Sequence, residues 1–278
     1  MNNPPMVAIT IRSFDRSGPA FEKLEENFSL SYINKTGARL SEDDLIKSLG
    51  NVHGVIAGTE TFSCRVIDQI SNLKVISRVG VGTDSIDMAA AREKGIQILT
   101  TPDSPVQSVA EHTLALILSS LKNIPRYNEQ MRENNFSVTA GSLLSGKTVG
   151  IAGLGKIGTK VAEMLDCLGC RILFFDPMLA KPTCSSWKRL SSMEDLVRCS
   201  DIVTIHSAPL PDRKPLVDAR VLSHANGIIL VNTARGTLID EQALVAALSS
   251  GRVKAAALDV FSAEPYSGTH SRAMRNWW

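Results

Sequence analysis

The chain has 278 residues, of which 44% are hydrophobic and 21% are charged, a composition typical of globular proteins and not of fibrous or disordered ones. Its formal net charge of +2 is nearly balanced, which favours neither nucleic acid nor a membrane surface as a partner. No apolar run approaches the roughly 18 residues of a spanning helix, and the amino-terminal residues lack the basic and apolar regions of a signal peptide.

Short β-branched runs alternate with helical patterns over the first part of the chain. Five apolar runs are predicted to be strands: 6–11, 28–33, 54–59, 73–80 and 96–101. The segments between them carry apolar residues three and four positions apart, as amphipathic helices do. This alternation predicts parallel strands joined by crossover helices.

A long helical pattern runs from Ser104 to Asn135 and is interrupted by Pro125. Because proline lacks a backbone N–H and clashes with the preceding turn, the helix is expected to kink or break there. A second alternating series follows, and its strands are nearly continuous apolar runs, as in a parallel sheet covered on both faces. We therefore predict two α/β domains with doubly wound parallel sheets of the Rossmann/flavodoxin type, with a boundary near residue 102.

The second series opens with a glycine motif, Gly153-Leu-Gly155-Lys-Ile-Gly158, directly after an apolar strand and before a helical pattern. Gly153 permits a tight turn, Gly155 lets the backbone approach a pyrophosphate, and Gly158 lets the helix pack closely on the strand. The unpaired N–H groups of the helix would face the phosphates. The alternative is that these glycines serve only a tight strand–helix turn.

An acid at the end of the next strand strengthens the cofactor interpretation. Asp176 closes the run RILFFD, 176 − 158 = 18 residues after the last glycine. A carboxylate there can accept hydrogen bonds from the adenosine ribose and would repel the 2′-phosphate of NADP. The sequence therefore predicts NAD as the cofactor and no metal.

Three charged residues follow the last two predicted strands. Arg235 comes just after the apolar run of GIILVNTARG, where its guanidinium could bind a substrate carboxylate. Asp259 ends the strand VKAAALD, and Glu264 follows five residues later. Because ligands of doubly wound sheets bind outside the carboxyl ends of strands, these side chains are candidates for a site. Each has an ordinary alternative as a solvated loop residue.

The five cysteines are an odd number, scattered through the chain, which fits reduced thiols better than a disulfide framework. Cys167 and Cys170 form a C-x-x-C with no partner pair, and we expect ordinary packing there. The sequence predicts a soluble, cytoplasmic protein.

Six segments resemble the D-isomer-specific 2-hydroxyacid dehydrogenases, which include phosphoglycerate dehydrogenase, glyoxylate/hydroxypyruvate reductase and D-lactate dehydrogenase. They are SRVGVGTDSID (77–87), TPDSPVQSVAEHTLAL (101–116), VGIAGLGKIG (149–158), FFDP (174–177), NTARGTLIDEQALVAAL (232–248) and ALDVFSAEP (257–265). The first two are most similar to the phosphoglycerate dehydrogenase branch. The resemblance covers roughly residues 50–266.

The resemblance implies roles for individual residues. Arg235 would bind the carboxylate and carbonyl oxygen of the substrate, and Glu264 would pair with a histidine that carries the proton. Gly80 and Val81 would lie in a loop that closes over substrate, with Glu60 in another loop of the same domain. The positions that match NAD contacts are Val81, Lys156, Ile157, Asp176, Ser207, Thr233 and Asp259, in addition to the three glycines of the turn.

The resemblance also implies the roles of the domains. Residues 1–102 would form a substrate-binding domain, and residues 103–265 an NAD-binding Rossmann domain that includes the connector helix. In the family, the glutamate–proline is followed by a strand, a Pro-His that carries the acid/base, and a helix that returns to the first domain. Here residues 266–278 contain no Pro-His. We expect them to be an atypical tail on a chain that lacks the return helix.

Two functional hypotheses follow. The first is an NAD-dependent oxidoreductase acting on small D-2-hydroxy acids, and, since family members usually pair, a homodimer. The second is a catalytically impaired NAD-binding protein, because the Pro-His segment is missing. His270, six residues after Glu264, is more readily explained as part of the tail than as the base, but the sequence leaves both open. No residue pattern recommends formate or phosphite oxidation.

Overall fold

The protein is described by a computed structural model covering residues 4–135, 137–179, 182, 184–209, 212 and 214–263. The chain divides into two compact units, Met1–Pro105 and Val106–Trp278. Each is built on a parallel β-sheet, and the predicted α/β fold class is confirmed.

The first unit contains a five-stranded parallel sheet. Its strands are β1 (Met6–Ile9), β2 (Ser29–Ile33), β3 (Gly54–Ala57), β4 (Val75–Arg78) and β5 (Gln97–Thr100), in the order β2-β1-β3-β4-β5. The helices between them are α1 (Pro19–Asn27), α2 (Glu42–Leu49), α3 (Cys64–Gln69) and α4 (Met88–Glu93). This is the flavodoxin-like strand order, and all five predicted strands are present with slightly shorter bounds.

Local side-chain chemistry fixes where these helices begin. The Ser41 hydroxyl accepts the Asp44 N–H, and the Asp44 carboxylate accepts the Ser41 N–H, which forms a capping box at the start of α2. Leu45 and Leu49, four residues apart on α2, are completely buried. They pack in one core with Phe62 and residues of α3 and the sheet, so the helical spacing read from the sequence faces the core.

The second unit contains a six-stranded parallel sheet. Its strands are β6 (Thr148–Ala152), β7 (Arg171–Phe175), β8 (Lys188–Arg189), β9 (Ile202–Ile205), β10 (Ile228–Asn232) and β11 (Val253–Leu258), in the order β11-β10-β9-β6-β7-β8. Read from β8, this is the Rossmann order 3-2-1-4-5-6. The short strand β8 was not predicted, because Lys188 and Arg189 form no apolar run.

Helices cover this sheet on both faces. They are α5 (Pro105–Leu121), α6 (Ile124–Arg132), α7 (Lys156–Cys167), α8 (Met193–Arg198), α9 (Ala219–Leu222) and α10 (Glu241–Ser249), with a 3₁₀ turn at Gly236–Leu238. Ile151 and Val231 point to one core and Val203 and Leu230 to the other, and all four are fully buried. Burial on both faces explains the continuous apolar runs.

The connector breaks before the proline, not at it. Asn123 adopts a left-handed conformation with φ of 55° between α5 and α6, and Pro125 lies in the first turn of α6. A proline is tolerated there because a first-turn N–H has no intrahelical partner in any case. Within the described part of the chain, no helix is both long enough and apolar enough to cross a membrane.

Candidate cofactor site

The candidate site lies at the carboxyl ends of β6 and β9, where the strand order reverses. From β6 the chain proceeds to β7 on one side, and β9 pairs with β6 on the other. The Gly153 N–H donates to the Phe175 carbonyl at 2.8 Å, and the His206 N–H donates to the Ala152 carbonyl at 2.7 Å. These bonds tie together the ends of three strands at the switch point, where doubly wound sheets bind ligands.

The three glycines of the turn are required for different reasons. A Cβ on Gly153, whose φ is +90°, would lie 2.8 Å from the Ser207 nitrogen, and a Cβ on Gly158 would lie 2.1 Å from the Gly153 oxygen. Both distances are sterically prohibitive, so the fold itself demands these two glycines. Outside its chain neighbours and its own helix, a Cβ on Gly155 would meet no atom of the described residues within 4 Å. The space beside Gly155 is therefore open to a ligand.

Helix α7 begins at Gly155, which offers no side-chain cap. The N–H groups of a first helical turn have no partner within the helix itself, and the helix dipole favours an anion there. Lys156 and Ile157 form the first turn, with Lys156 exposed and Ile157 packed on the core. An open glycine at the start of a helix is suited to hold a pyrophosphate.

Asp176 is oriented by the glycine turn. One of its carboxylate oxygens accepts the Leu154 N–H at 2.8 Å, and the other accepts the N–H groups of Met178 and Leu179 at 2.9 and 3.1 Å. A carboxylate has about four acceptor positions, so one remains for a ribose hydroxyl. The carboxylate is half-buried, and it stands at the end of β7 as the sequence spacing predicted.

The loop after β9 contributes His206 and Ser207. The His206 Nε2 lies 2.9 Å from the Thr204 hydroxyl, and burial lowers the pKa of His206 to about 4. The imidazole is therefore neutral at neutral pH. The Ser207 hydroxyl oxygen is buried and has no hydrogen-bond partner among the described residues. Since buried polar groups are normally paired, the unpaired Ser207 hydroxyl beside the glycine turn is suited to hydrogen-bond to a bound cofactor.

Arg235 sits on a turn that Asn232 closes. The buried Asn232 side chain donates to the Arg235 carbonyl at 2.9 Å and accepts the Ala234 N–H at 3.0 Å. A Cβ on Gly236 would lie 1.9 Å from the Phe261 carbonyl carbon, so the segment after β11 presses against this turn. Asn232 was not among the predicted site residues, although an asparagine before a turn is a recognisable signal.

Thr233 and Asp259 stand at the ends of β10 and β11, and both meet helix α5. The Thr233 hydroxyl oxygen lies 3.0 Å from that of Thr113, and the Asp259 carboxylate lies 3.4 Å from the His112 Nε2. Neither His112 nor Thr113 was among the predicted site residues. No local signal indicates the contact between Thr113 and Thr233, because the two residues are 120 positions apart.

Gly80 and Val81 belong to the first unit, in the loop after β4. Gly80 has φ of +133°, its N–H donates to the Thr101 hydroxyl at 2.7 Å, and its carbonyl accepts the Thr101 N–H at 3.0 Å. Val81 is 48% exposed. In the loop after β3, the buried Glu60 accepts the Gly58 N–H with one oxygen, and its other oxygen has no partner among the described residues.

Two candidates from the sequence, Glu264 and His270, lie outside the described residues. The structure therefore does not test the predicted pairing of Glu264 with a histidine. Among the described residues there is no cluster of three or more histidine, cysteine, aspartate or glutamate side chains that could hold a metal ion.

The sequence of the second unit matches a known family. The family model described as "D-isomer specific 2-hydroxyacid dehydrogenase, NAD binding domain" covers residues 114–276. The chain belongs to this family. The predicted resemblance and the predicted NAD cofactor are thereby confirmed.

Similarity to individual proteins agrees with the family. The chain is 36% identical over 215 residues to D-3-phosphoglycerate dehydrogenase of Mycobacterium bovis, covering 76% of this chain and 41% of that protein. It is 36% identical over 237 residues to hydroxypyruvate reductase of Thermotoga maritima, covering 84% of this chain and 77% of that protein. The NAD complex of formate dehydrogenase from Staphylococcus aureus is similar in structure, with a TM-score of 0.83 and 29% identity, and the similarity covers 99% of this chain and 87% of that chain. The chain thus spans less than half of the mycobacterial relative.

The different roles of the glycines generate a first prediction. Gly158→Ala should destabilise the fold by about 2 kcal/mol or more, because the added methyl overlaps the Gly153 carbonyl. Gly155→Ala should change the free energy of unfolding by less than about 1 kcal/mol, yet weaken NADH binding at least about tenfold. Urea unfolding and NADH fluorescence titration measure the two effects. Equal loss of stability in both variants would contradict this account.

The lowered pKa of the partly buried His206 generates a second prediction. The unfolded chain takes up a proton on His206 as the pH falls through about 6.5, whereas the folded chain does so only near pH 4. Acidification across this window should therefore lower the free energy of unfolding, by at most about 1.4 kcal/mol per pH unit from this residue. Urea unfolding at pH 7 and pH 5 should show a smaller loss in His206→Gln than in the wild type. His224→Gln, at an exposed histidine, serves as the control and should retain the wild-type slope.

Proposed function

We propose that this protein is an NAD-dependent oxidoreductase that moves a hydride between nicotinamide and the α-carbon of a small D-2-hydroxy or 2-keto acid. The observation that carries the proposal is the fixed turn that places Arg235 at the same sheet edge as the open glycine turn. A dinucleotide site at the glycine turn and the Arg235 guanidinium, both at the carboxyl edge of the sheet, are suited to a redox reaction on a substrate that carries a carboxylate. Relatives named phosphoglycerate dehydrogenase and hydroxypyruvate reductase support the same class.

Each residue has a distinct part in this reaction. Bound NAD supplies or accepts the hydride. Arg235 would bind the substrate carboxylate through two N–H groups and draw electron density from the adjacent carbonyl oxygen. Its turn is held by buried Asn232, which limits the freedom of the backbone that carries it. Glu264 is proposed, from the family resemblance alone, to orient the histidine that transfers the proton.

The preference for NAD over NADP rests on Asp176. Its carboxylate is held at the end of β7 by three backbone N–H groups, two of them in its own turn. An oriented negative charge at this position would accept a ribose hydroxyl and repel a 2′-phosphate. Gly153, Gly155, Lys156, Ile157, Gly158 and Ser207 would complete the cofactor cradle, and Gly80 and Val81 the substrate contacts of the first unit.

We also propose that the chain acts as a homodimer in the cytoplasm. All five cysteines are free, and three of them are exposed, which suits a reducing compartment. Four large apolar side chains in and after α6 are exposed: Ile124 at 52%, Met131 at 61%, Val138 at 77% and Leu143 at 73%. We propose that these four side chains form the association surface through which two copies of the chain meet.

The role of Arg235 is tested by turnover. Arg235→Gln should lower kcat/KM for hydroxypyruvate, glyoxylate or 2-oxoglutarate by roughly 10²-fold or more, because a charge-assisted pair to the carboxylate is lost. The dissociation constant of NADH should stay within about threefold. Loss of nicotinamide absorbance measures turnover, and nicotinamide fluorescence measures binding. Arg171→Gln, an exposed arginine at the amino end of β7, is the matched control and should behave as wild type.

The outcomes of that experiment separate the two functional hypotheses. Turnover by the wild type that disappears in Arg235→Gln supports the dehydrogenase. NADH binding without turnover of any of the three keto acids would support a dinucleotide-binding protein that lacks catalysis. Unchanged turnover in Arg235→Gln would contradict the role given to this residue.

The association surface is tested by light scattering after size-exclusion chromatography. The wild type should elute as a dimer, and the double variant Met131→Lys/Val138→Asp as a monomer, since charges would have to be buried at the interface. Met178→Lys changes a residue that is 92% exposed elsewhere in the same unit, and should leave the dimer intact. A wild-type monomer at micromolar concentration would refute the proposed dimer.

A further inference from the structure

A hydroxyl pair links helix α5 to the end of β10. Thr113 is completely buried, and its hydroxyl oxygen lies 2.8 Å from the Val109 carbonyl oxygen, one helical turn earlier. The same oxygen lies 3.0 Å from the Thr233 hydroxyl oxygen. Thr233 is itself buried, with 9% of its surface exposed, and directly precedes the turn that carries Arg235.

The positions of the two hydroxyl protons follow from these distances. Each threonine hydroxyl has one proton to donate, and the Val109 carbonyl can only accept. Thr113 therefore donates to Val109, as helical threonines commonly do to the carbonyl four residues back. The opposite arrangement would place two sets of lone pairs 2.8 Å apart with no proton between them. Thr113 thus has no proton left for Thr233, and Thr233 must donate to Thr113.

This arrangement determines which ligand groups Thr233 can bind. Its only proton is committed to Thr113, so toward a ligand its oxygen can act only as an acceptor. A phosphate or carbonyl oxygen placed there would be repelled, whereas an N–H or O–H group would be bound. NAD carries both kinds of group: phosphates and a carbonyl that accept, and a carboxamide N–H₂ and ribose hydroxyls that donate.

We propose that Thr113 is a positioning residue that fixes the Thr233 hydroxyl as an obligate acceptor for a hydrogen-bond donor of the bound cofactor. This inference rests on the proposed cofactor site and adds a residue on a different element from the glycine turn. The donor is the carboxamide N–H₂ or a ribose hydroxyl. Thr113 touches neither, and acts through Thr233.

The test replaces the Thr113 hydroxyl and measures NADH affinity by fluorescence titration. Thr113→Val keeps the branched shape but removes the acceptor, so the Thr233 proton becomes free to point at the ligand; binding should weaken about 3- to 10-fold. Thr113→Ser keeps the hydroxyl and should bind NADH nearly as the wild type does. In a Thr233→Val background, Thr113→Val should have no further effect, because the two residues act as one unit.

Ser120 provides a matched control on the same helix. Its hydroxyl donates to the Leu116 carbonyl at 2.8 Å, which is the same bond to the carbonyl four residues back, and Ser120 is likewise buried. Ser120→Ala should leave NADH affinity unchanged. Thermal unfolding followed by circular dichroism shows whether any variant loses structure, which separates a folding defect from a binding defect.

A cofactor analogue identifies the donor. The reduced 3-acetylpyridine analogue replaces the carboxamide with an acetyl group and so lacks its N–H₂. If the carboxamide is the donor, wild type should prefer NADH over the analogue by a ratio that shrinks in Thr113→Val. If that ratio is unchanged while both affinities fall, the donor is a ribose hydroxyl, and the inference stands.

Four outcomes would overturn the inference. Wild-type affinity in Thr113→Val would show that the proton of Thr233 does not matter, and an equal loss in Thr113→Ser or in Ser120→Ala would point to packing alone. Failure of the wild type to bind NADH would instead contradict the cofactor site, and with it this inference. The first three results leave the proposed dehydrogenase intact, so the two failures are distinguishable.

Discussion

The site depends on one close backbone contact, that between the glycine turn after β6 and the loop after β9. Gly153 approaches the Ser207 backbone so closely that no side chain fits, and Gly158 brings α7 against the carbonyl of Gly153. This contact sets the position and direction of α7, and therefore the direction in which its first N–H groups point. It also leaves Gly155 exposed, and a Cβ there would meet no other described part of the protein within 4 Å. The proposed cofactor site around Gly155 is therefore a consequence of how the carboxyl ends of β6 and β9 pack together.

The coverage of the sheet on both faces explains why functional groups gather at its carboxyl edge. Apolar side chains from both faces fill the two cores, so polar groups emerge mainly where strands end. Asn232 illustrates this: it is completely buried at the end of β10, and both polar atoms of its side chain hydrogen-bond to the backbone of the next turn. Helix α5 then reaches the same edge from one face and pairs with Thr233 and Asp259.

The sequence predicted the parts of the structure that depend on local chemistry. Strand positions, the glycine turn and the location of Asp176 follow from apolar periodicity and glycine spacing, which neighbouring residues determine. The sequence could not predict that the Leu154 N–H orients Asp176, or that Thr113 meets Thr233, because these contacts depend on tertiary packing. The sequence predicts the break at Pro125, whereas the chain breaks at Asn123, because proline is well suited to a first helical turn. The roles proposed for Glu264 and the residues that contact substrate remain predictions.

Three features of the second unit have no explanation in the stability of the chain alone. The Ser207 hydroxyl oxygen is buried and has no hydrogen-bond partner in the part of the chain that the structure describes, and an unpaired buried hydroxyl costs about 1–3 kcal/mol. A Cβ on Gly155 would meet no described atom within 4 Å outside its own chain neighbours and helix, and the Thr233 hydroxyl, whose proton goes to Thr113, can only accept from a ligand. Features of this kind persist when a ligand completes them, because the stabilisation is then recovered on binding. All three lie at the carboxyl ends of adjacent strands β6, β9 and β10, the edge at which we propose that the cofactor binds.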